Sequence, residues 1–227
     1  MDWYCQEVVT WRQQQAAETR RQIVRAARRL FVDSGYAGTT VEAIAAEAGV
    51  ALATVYKAFG TKAAIARELN ELIDDEAGIA SFRQRIASET SPAGLIRLSV
   101  ALNRSLHEHC GDIITAVRSA AAVDATLAGV YAEGTKRHDD GVRGLISKLE
   151  AAGALAPGLA PIRAAGLMST LCSIEAFSDL ITRYGWTADQ CEAWIANALC
   201  DLLLNVTVTN GEGGEETRNE KELQLGP

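Results

Sequence analysis

From about residue 18 to about residue 204 the apolar residues recur every three or four positions, and stretches that alternate apolar with polar are nearly absent. A strand needs that alternation to bury one face, so the pattern predicts an all-α chain. The clearest stretch is ETRRQIVRAARRLFVDSG, residues 18–35. Ile23, Ala26, Ala27, Leu30 and Phe31 share one face of it, with arginines on the others. Gly35 stands where the chain would leave that helix.

Local signals divide the rest. Thr39 and Glu42 have capping-box spacing and predict the start of a helix that ends at Gly49. A short helix is expected over about 51–58, and Lys62 opens KAAIARELNELIDDEAG, read as one helix. Ser91 and Pro92 read as N-cap and first residue of a helix to about His109, whose stripe of Leu95, Leu98, Leu102 and Leu106 points to a core. One or two helices are expected over 112–151, a loop with two prolines over 153–161, and one long apolar helix over 162–184. Thr187 and Gln190 form a second capping-box pair, and the last helix runs to about Leu204. The end, NGEGGEETRNEKELQLGP, is polar and glycine-rich and predicts a disordered tail. The first sixteen residues fit a loose tail or a helix running into the first one, and no internal repeat is present.

Composition excludes several classes. At 48% apolar and 22% charged, the 227 residues are globular rather than disordered. No uncharged apolar run reaches the length of a membrane span, and the N-terminus lacks a basic and apolar leader pattern, so a cytoplasmic protein with no membrane partner is expected. The five cysteines are scattered and form no C-x-x-C pair, which predicts free thiols in a reducing compartment. His107, His109 and Cys110 do not share a helix face with a carboxylate pair, so no metal site is expected. The chain has no glycine-rich phosphate loop, nucleophile elbow or H-E-x-x-H, so neither an enzyme nor a cofactor is expected.

Charge is unevenly spread. The net charge is −7, yet residues 12–67 carry nine Arg or Lys against four Asp or Glu. A basic segment on an acidic body is the footprint expected of a nucleic-acid contact. Within it, residues 40–59 read as two helices joined at Gly49, a glycine suited to a turn with positive φ. Ile44, Ala45 and Ala48 can pack against Val50, Val55 and Phe59, the layout of a helix-turn-helix. At 100° per residue, placing Val55 inward leaves Leu52, Ala53, Thr54, Tyr56 and Lys57 outward, a face with no acid on it. Thr40 offers a hydroxyl and free N–H groups at a helix start, and Lys62 a further backbone contact.

The order GTT at 38–40, IAAEAGV at 44–50 and TVYKAFGTK at 54–62 resembles the DNA-binding region of the tetracycline-repressor (TetR) family of bacterial regulators, over about residues 18–66. GWTADQCEAWIANALCDLLL resembles the terminal helix common in that family, whereas residues 67–180 share only helical character and length. The resemblance implies an extension over 1–16, a DNA-binding domain over 17–62, a ligand-binding and dimerisation domain over 63–207 and a tail over 208–227. It implies a homodimeric repressor that binds a palindromic double-stranded operator and is released by a small-molecule effector. DNA contacts carry over to Thr40, Leu52, Ala53, Thr54, Tyr56, Lys57 and Lys62. Leu52, Ala53 and Lys57 would face the bases, while Thr40, Thr54, Tyr56 and Lys62 would position the backbone. Ala51 and Ala58 depart from the family's more polar or bulky residues, and Ala51 forgoes a side-chain cap.

The effector is expected to be largely apolar, because the later helices are rich in Ala, Leu and Ile. His107, Cys110, Arg118 and Glu175 are the candidate pocket residues. Phe177, Leu180, Trp194 and Leu199 are the candidates for the dimer interface. The competing reading is an all-helical carrier or enzyme whose basic segment is incidental.

Overall fold

The computed structural model describes residues 2–205, with side chains from residue 11 onward. Its elements are α1 Asp2–Gly38, α2 Val41–Glu47, α3 Leu52–Phe59, α4 Lys62–Arg67, α5 Leu69–Glu76, α6 Ile79–Ser88, α7 Pro92–Ala121, α8 Ala125–Ala151, α9 Pro161–Leu171, α10 Ile174–Thr182 and α11 Ala188–Leu203. The all-α expectation holds: no strand occurs among the described residues, and one antiparallel bridge joins Leu155 to Leu204. The expected disordered tail lies outside the described residues. The N-terminal stretch takes the helical alternative from Asp2 onward.

Two cores organise the chain. The first gathers Ile23, Ala27, Phe31, Ile44, Val55, Ile65 and Leu69 from α1–α5 around Cys110, Ile113 and Val117 of α7. The second gathers Ile96 and Val100 of α7, Leu149 of α8, Met168, Phe177, Ile195 and Leu199. α7 therefore belongs to both, and packing is continuous from the N-terminal helices into the larger C-terminal bundle.

The structure departs from the sequence expectations at four places. Gly35 does break α1, with φ 71°, but the capping box at Thr39 does not form. The Thr39 hydroxyl is buried and donates to the carbonyls of Leu30 and Gly35, and Thr40 caps α2 instead, accepting from Ala43 N–H at 3.1 Å. The helix opened by Lys62 pauses at Glu68 and divides into α4 and α5. α7 continues past His109 to Ala121. A glycine inside a helix costs roughly 1 kcal/mol, and burying Ile113 and Val117 just beyond Gly111 outweighs it at roughly 1.5–3 kcal/mol each. Finally, residues 162–184 are two helices, bent by 41°. Ser173 caps α10 through Ala176 N–H at 3.1 Å, and Asn103 of α7 donates to the Cys172 carbonyl freed at the break. α6 has no counterpart in the sequence reading, and none of its residues is fully buried. The second capping box forms as read, with Thr187 and Gln190 reciprocally bonded at 2.9 and 3.2 Å.

Candidate nucleic-acid interface

α2 and α3 are joined by a turn in which Gly49 has φ 67°, and Val50 N–H donates back to Ala45 at 3.0 Å. Ala51 is the N-cap of α3 and supplies no side-chain bond, so packing holds the helix. Val55 is the residue that docks it, at 1% exposure, with Phe59 half-buried behind. The Arg20 guanidinium lies 4.2 Å from the Phe59 ring centroid and donates to the Ala58 carbonyl, fixing the C-terminal end of α3.

The opposite face is open. Leu52 is 37% and Tyr56 46% exposed, Ala53 and Lys57 are exposed, and Thr54 is half-buried. Among the described residues Lys57 makes no ion pair, so its ammonium is free to meet an acceptor. Leu52 and Ala53 can offer only apolar contact, which suits thymine methyls rather than base hydrogen bonding. Thr40 is exposed at the start of α2, with its hydroxyl turned to its own helix.

Lys62 is not available in the way the sequence suggested. Its Nζ donates to the carbonyls of Tyr36 at 2.7 Å and Thr39 at 2.8 Å, and sits 4.3 Å from the Tyr36 ring centroid. The side chain ties α4 to the end of α1. Two carbonyls left over at a helix end are a better partner for a half-buried ammonium than a distant phosphate.

Five arginines of the basic segment are engaged in ion pairs. Arg20 pairs with Glu68 at 3.0 Å, Arg21 with Asp75 at 3.7 Å and Arg25 with Glu76 at 3.3 Å. Arg28 pairs with Glu76 and, at 2.6 Å, with Asp112 of α7, while Arg29 pairs with Glu47 at 2.6 Å. The arginine row on α1 is therefore a seam to α2, α5 and α7. Periodicity located these arginines but could not show that acids between 47 and 112 answer them.

The remaining candidates sit along α7 and beyond. His107 lies 5.8 Å from the Phe177 ring and burial lowers its pKa. Arg118 and Glu175 pair at 2.6 Å, joining the C-terminal half of α7 to the first turn of α10. His138 of α8, which the sequence did not single out, is lowered by burial and feels the Glu175 charge. Cys110 does not join this group. It is fully buried in the first core, its thiol directed at the Ile73 carbonyl 3.9 Å away, and burial pushes its pKa up to about 12. A thiol so placed is inert packing.

Of the interface candidates, Phe177 and Leu199 are fully buried inside the protomer and cannot meet a partner, and Leu180 packs half-buried against the second core. Trp194 is 47% exposed, with its ring edge-on to Trp186 at 5.7 Å. Sequence reading missed its apolar neighbours Leu167 and Leu202, which are exposed. They line, with Trp194, Leu159, Gly166 and Ala198, the groove between α9 and α11. Periodicity assigns all such residues to one stripe and cannot separate its buried centre from its exposed rim. No group of His, Cys, Asp and Glu able to hold a metal ion occurs among the described residues. None of the described helices alone is long and apolar enough to cross a membrane.

Residues 23–69 match the profile of bacterial regulatory proteins, tetR family. The fold is that of solved regulators of this kind. A Rhodococcus sp. protein described as a TetR-family transcriptional regulator shares 19% identity over 83% of this chain and 100% of its own, with a TM-score of 0.68. The Bacillus subtilis regulator FadR, solved with stearoyl-CoA, shares 18% over 80% of this chain and 97% of its own, at 0.67. A Saccharomonospora viridis protein described as a transcriptional regulator, solved with choline, shares 18% over 83% and 99%, at 0.64. No curated protein sequence matches the chain.

Proposed function

We propose that this chain, whose residues 23–69 match the TetR-family profile, is a homodimeric transcriptional repressor that a small molecule releases from a palindromic operator. The observation that carries the reading is the acid-free outward face of α3, with Lys57 unpaired beside exposed Tyr56 and Leu52. A helix held by Val55 from behind and bare in front is built to enter a major groove. Thr40, Thr54 and Tyr56 would fix the register on phosphates, and Leu52, Ala53 and Lys57 would meet the bases. Lys62 would act from behind, by holding α4 against the end of α1.

The division of labour follows the two cores. Residues 17–62 would bind DNA and 63–207 would bind effector and partner. The second copy would cover the α9–α11 groove, where Trp194 is 47% and Leu202 48% exposed. Exposed apolar residues grouped on one surface mark an association site, and a twofold axis there would give two recognition helices for a symmetric operator. Neighbours solved with stearoyl-CoA and with choline support a ligand-responsive role. An effector among α7, α8 and α10 would act on DNA through the continuous packing of α7, and DNA must disfavour that effector equally.

The test is an anisotropy titration of duplex DNA from upstream of the chain's own gene. Binding should weaken steeply between 50 and 200 mM salt, as counterion release requires. Affinity no greater than for unrelated duplex DNA at low salt would count against the reading.

A further inference from the structure

Asn103 occupies an unusual position. It is 4% exposed on α7, and its Nδ2 donates to the Cys172 carbonyl at the break between α9 and α10. Its Oδ1 is buried and is the one side-chain oxygen or nitrogen among the described buried atoms with no hydrogen-bond partner. A buried acceptor left unmet is unfavourable, so such an atom calls for an explanation. A residue there only to tie off the Cys172 carbonyl would not need a second, unanswered oxygen in an apolar core.

One turn along the same face of α7 is His107, half-buried against Phe177. Burial lowers its pKa, which keeps the imidazole neutral at neutral pH. Further along, the Arg118 guanidinium and the Glu175 carboxylate answer each other at 2.6 Å. These groups thus offer an open acceptor, a neutral ring and a neutralised pair. None is an unpaired cation that would receive a carboxylate, and Oδ1 would repel one. Phe177, against His107, and Cys172, against Asn103, belong with Met168 to one buried core.

We propose that Asn103 is the polar anchor of the effector site, and that the effector it selects is a neutral, largely apolar molecule carrying a hydrogen-bond donor, such as an alcohol. This rests on the reading of the chain as a regulator with an apolar effector. The donor of the ligand meets Oδ1 while Nδ2 keeps its hold on Cys172. Occupancy is thereby read at the bend between α9 and α10, beside the proposed dimer surface.

The experiment is isothermal titration calorimetry of the full chain with three probes of one chain length: 1-octanol, 1-methoxyoctane and octanoate. 1-Octanol should bind about tenfold more tightly than 1-methoxyoctane, which accepts but cannot donate, and octanoate no more tightly than the ether. In Asn103→Leu the alcohol and the ether should bind within about twofold of each other, with the ether's affinity unchanged. Equal binding of alcohol and ether to the unmodified chain, or a preference that survives Asn103→Leu, overturns the assignment and leaves the apolar effector standing. Saturable binding of none of the three overturns both. Should Asn103→Leu not fold, the alcohol-to-ether ratio of the unmodified chain decides alone.

Discussion

Arg28 of α1 donates to the Asp112 carboxylate of α7 at 2.6 Å, and from the same nitrogen to the His109 carbonyl at 2.5 Å. It also pairs with Glu76 of α5. One guanidinium thus joins α1, which packs on α2 and α4, to the segment of α7 between His107 and Arg118. The Arg28 side chain is 17% and Glu76 22% exposed, so water screens that pair less than the one to half-exposed Asp112. Arg28→Met keeps the stem and removes the fork. It should lower stability by about 1–3 kcal/mol in urea unfolding and weaken the effect of effector on operator affinity. Unchanged stability with unchanged coupling would remove Arg28 from the route.

Lys62 gives a cleaner separation of roles. If its ammonium ties the end of α1, Lys62→Met should lower stability by about 1–2 kcal/mol. The slope of log affinity against log salt should stay as it is. A lysine that neutralised a phosphate would instead reduce that slope by about 0.9.

Lys57 should behave in the opposite way. Lys57→Ala should leave the unfolding midpoint nearly unchanged, since the side chain makes no ion pair among the described residues. It should cost about 1–3 kcal/mol at the preferred operator and relax the preference at one base position in each half-site. Selection from a randomised operator library measures this. A uniform loss across all sequences would make Lys57 a phosphate contact.

Trp194 and Leu202 test the partner surface. Trp194→Glu with Leu202→Lys places charges on the exposed rim of the α9–α11 groove while leaving Ile195 and Leu199 buried beneath. Sedimentation should show a folded monomer, and operator affinity should fall because one recognition helix would act alone. A dimer of unchanged stability would place the interface elsewhere.

Acid should weaken the fold through two histidines. Burial lowers the pKa of both His107 and His138 in the folded chain. Their neutral forms are therefore favoured on folding. The stability they contribute is present above the unfolded pKa of about 6.5 and is lost as pH falls below it towards the folded values. The thermal midpoint should drop between pH 7 and 5. Replacing both histidines with glutamine should flatten that drop, whereas an unaltered pH profile would contradict the assignment.

Much of this was legible in the sequence because it rests on local signals. Gly49, the Val55 anchor and the outward set at 52–57 follow from turn chemistry and a helical period, and the Thr187–Gln190 box from residue type and spacing. The departures turn on which groups meet once the chain is folded. Thr39 caps nothing because Leu30 and Gly35 offer it carbonyls, and Lys62 is withdrawn because Tyr36 and Thr39 do the same. The α1 arginines carry charge that any count would assign to DNA, yet Glu68, Asp75, Glu76 and Asp112 face them in space. Phe177 and Leu199 share helices with exposed residues and differ only in which neighbour covers them. Asn103 gave no sequence signal, since an unmet acceptor exists only once the surrounding helices are placed.

The central claim is that the bare face of α3 reads DNA as one half of a symmetric pair. Hydroxyl-radical footprinting on the DNA upstream of the chain's own gene tests it most directly. The expected result is two protected patches on one face of the duplex, with centres about 34–36 Å apart, in half-sites related by twofold symmetry. No protection at 50 mM salt, or a single patch without a symmetry mate, would contradict it.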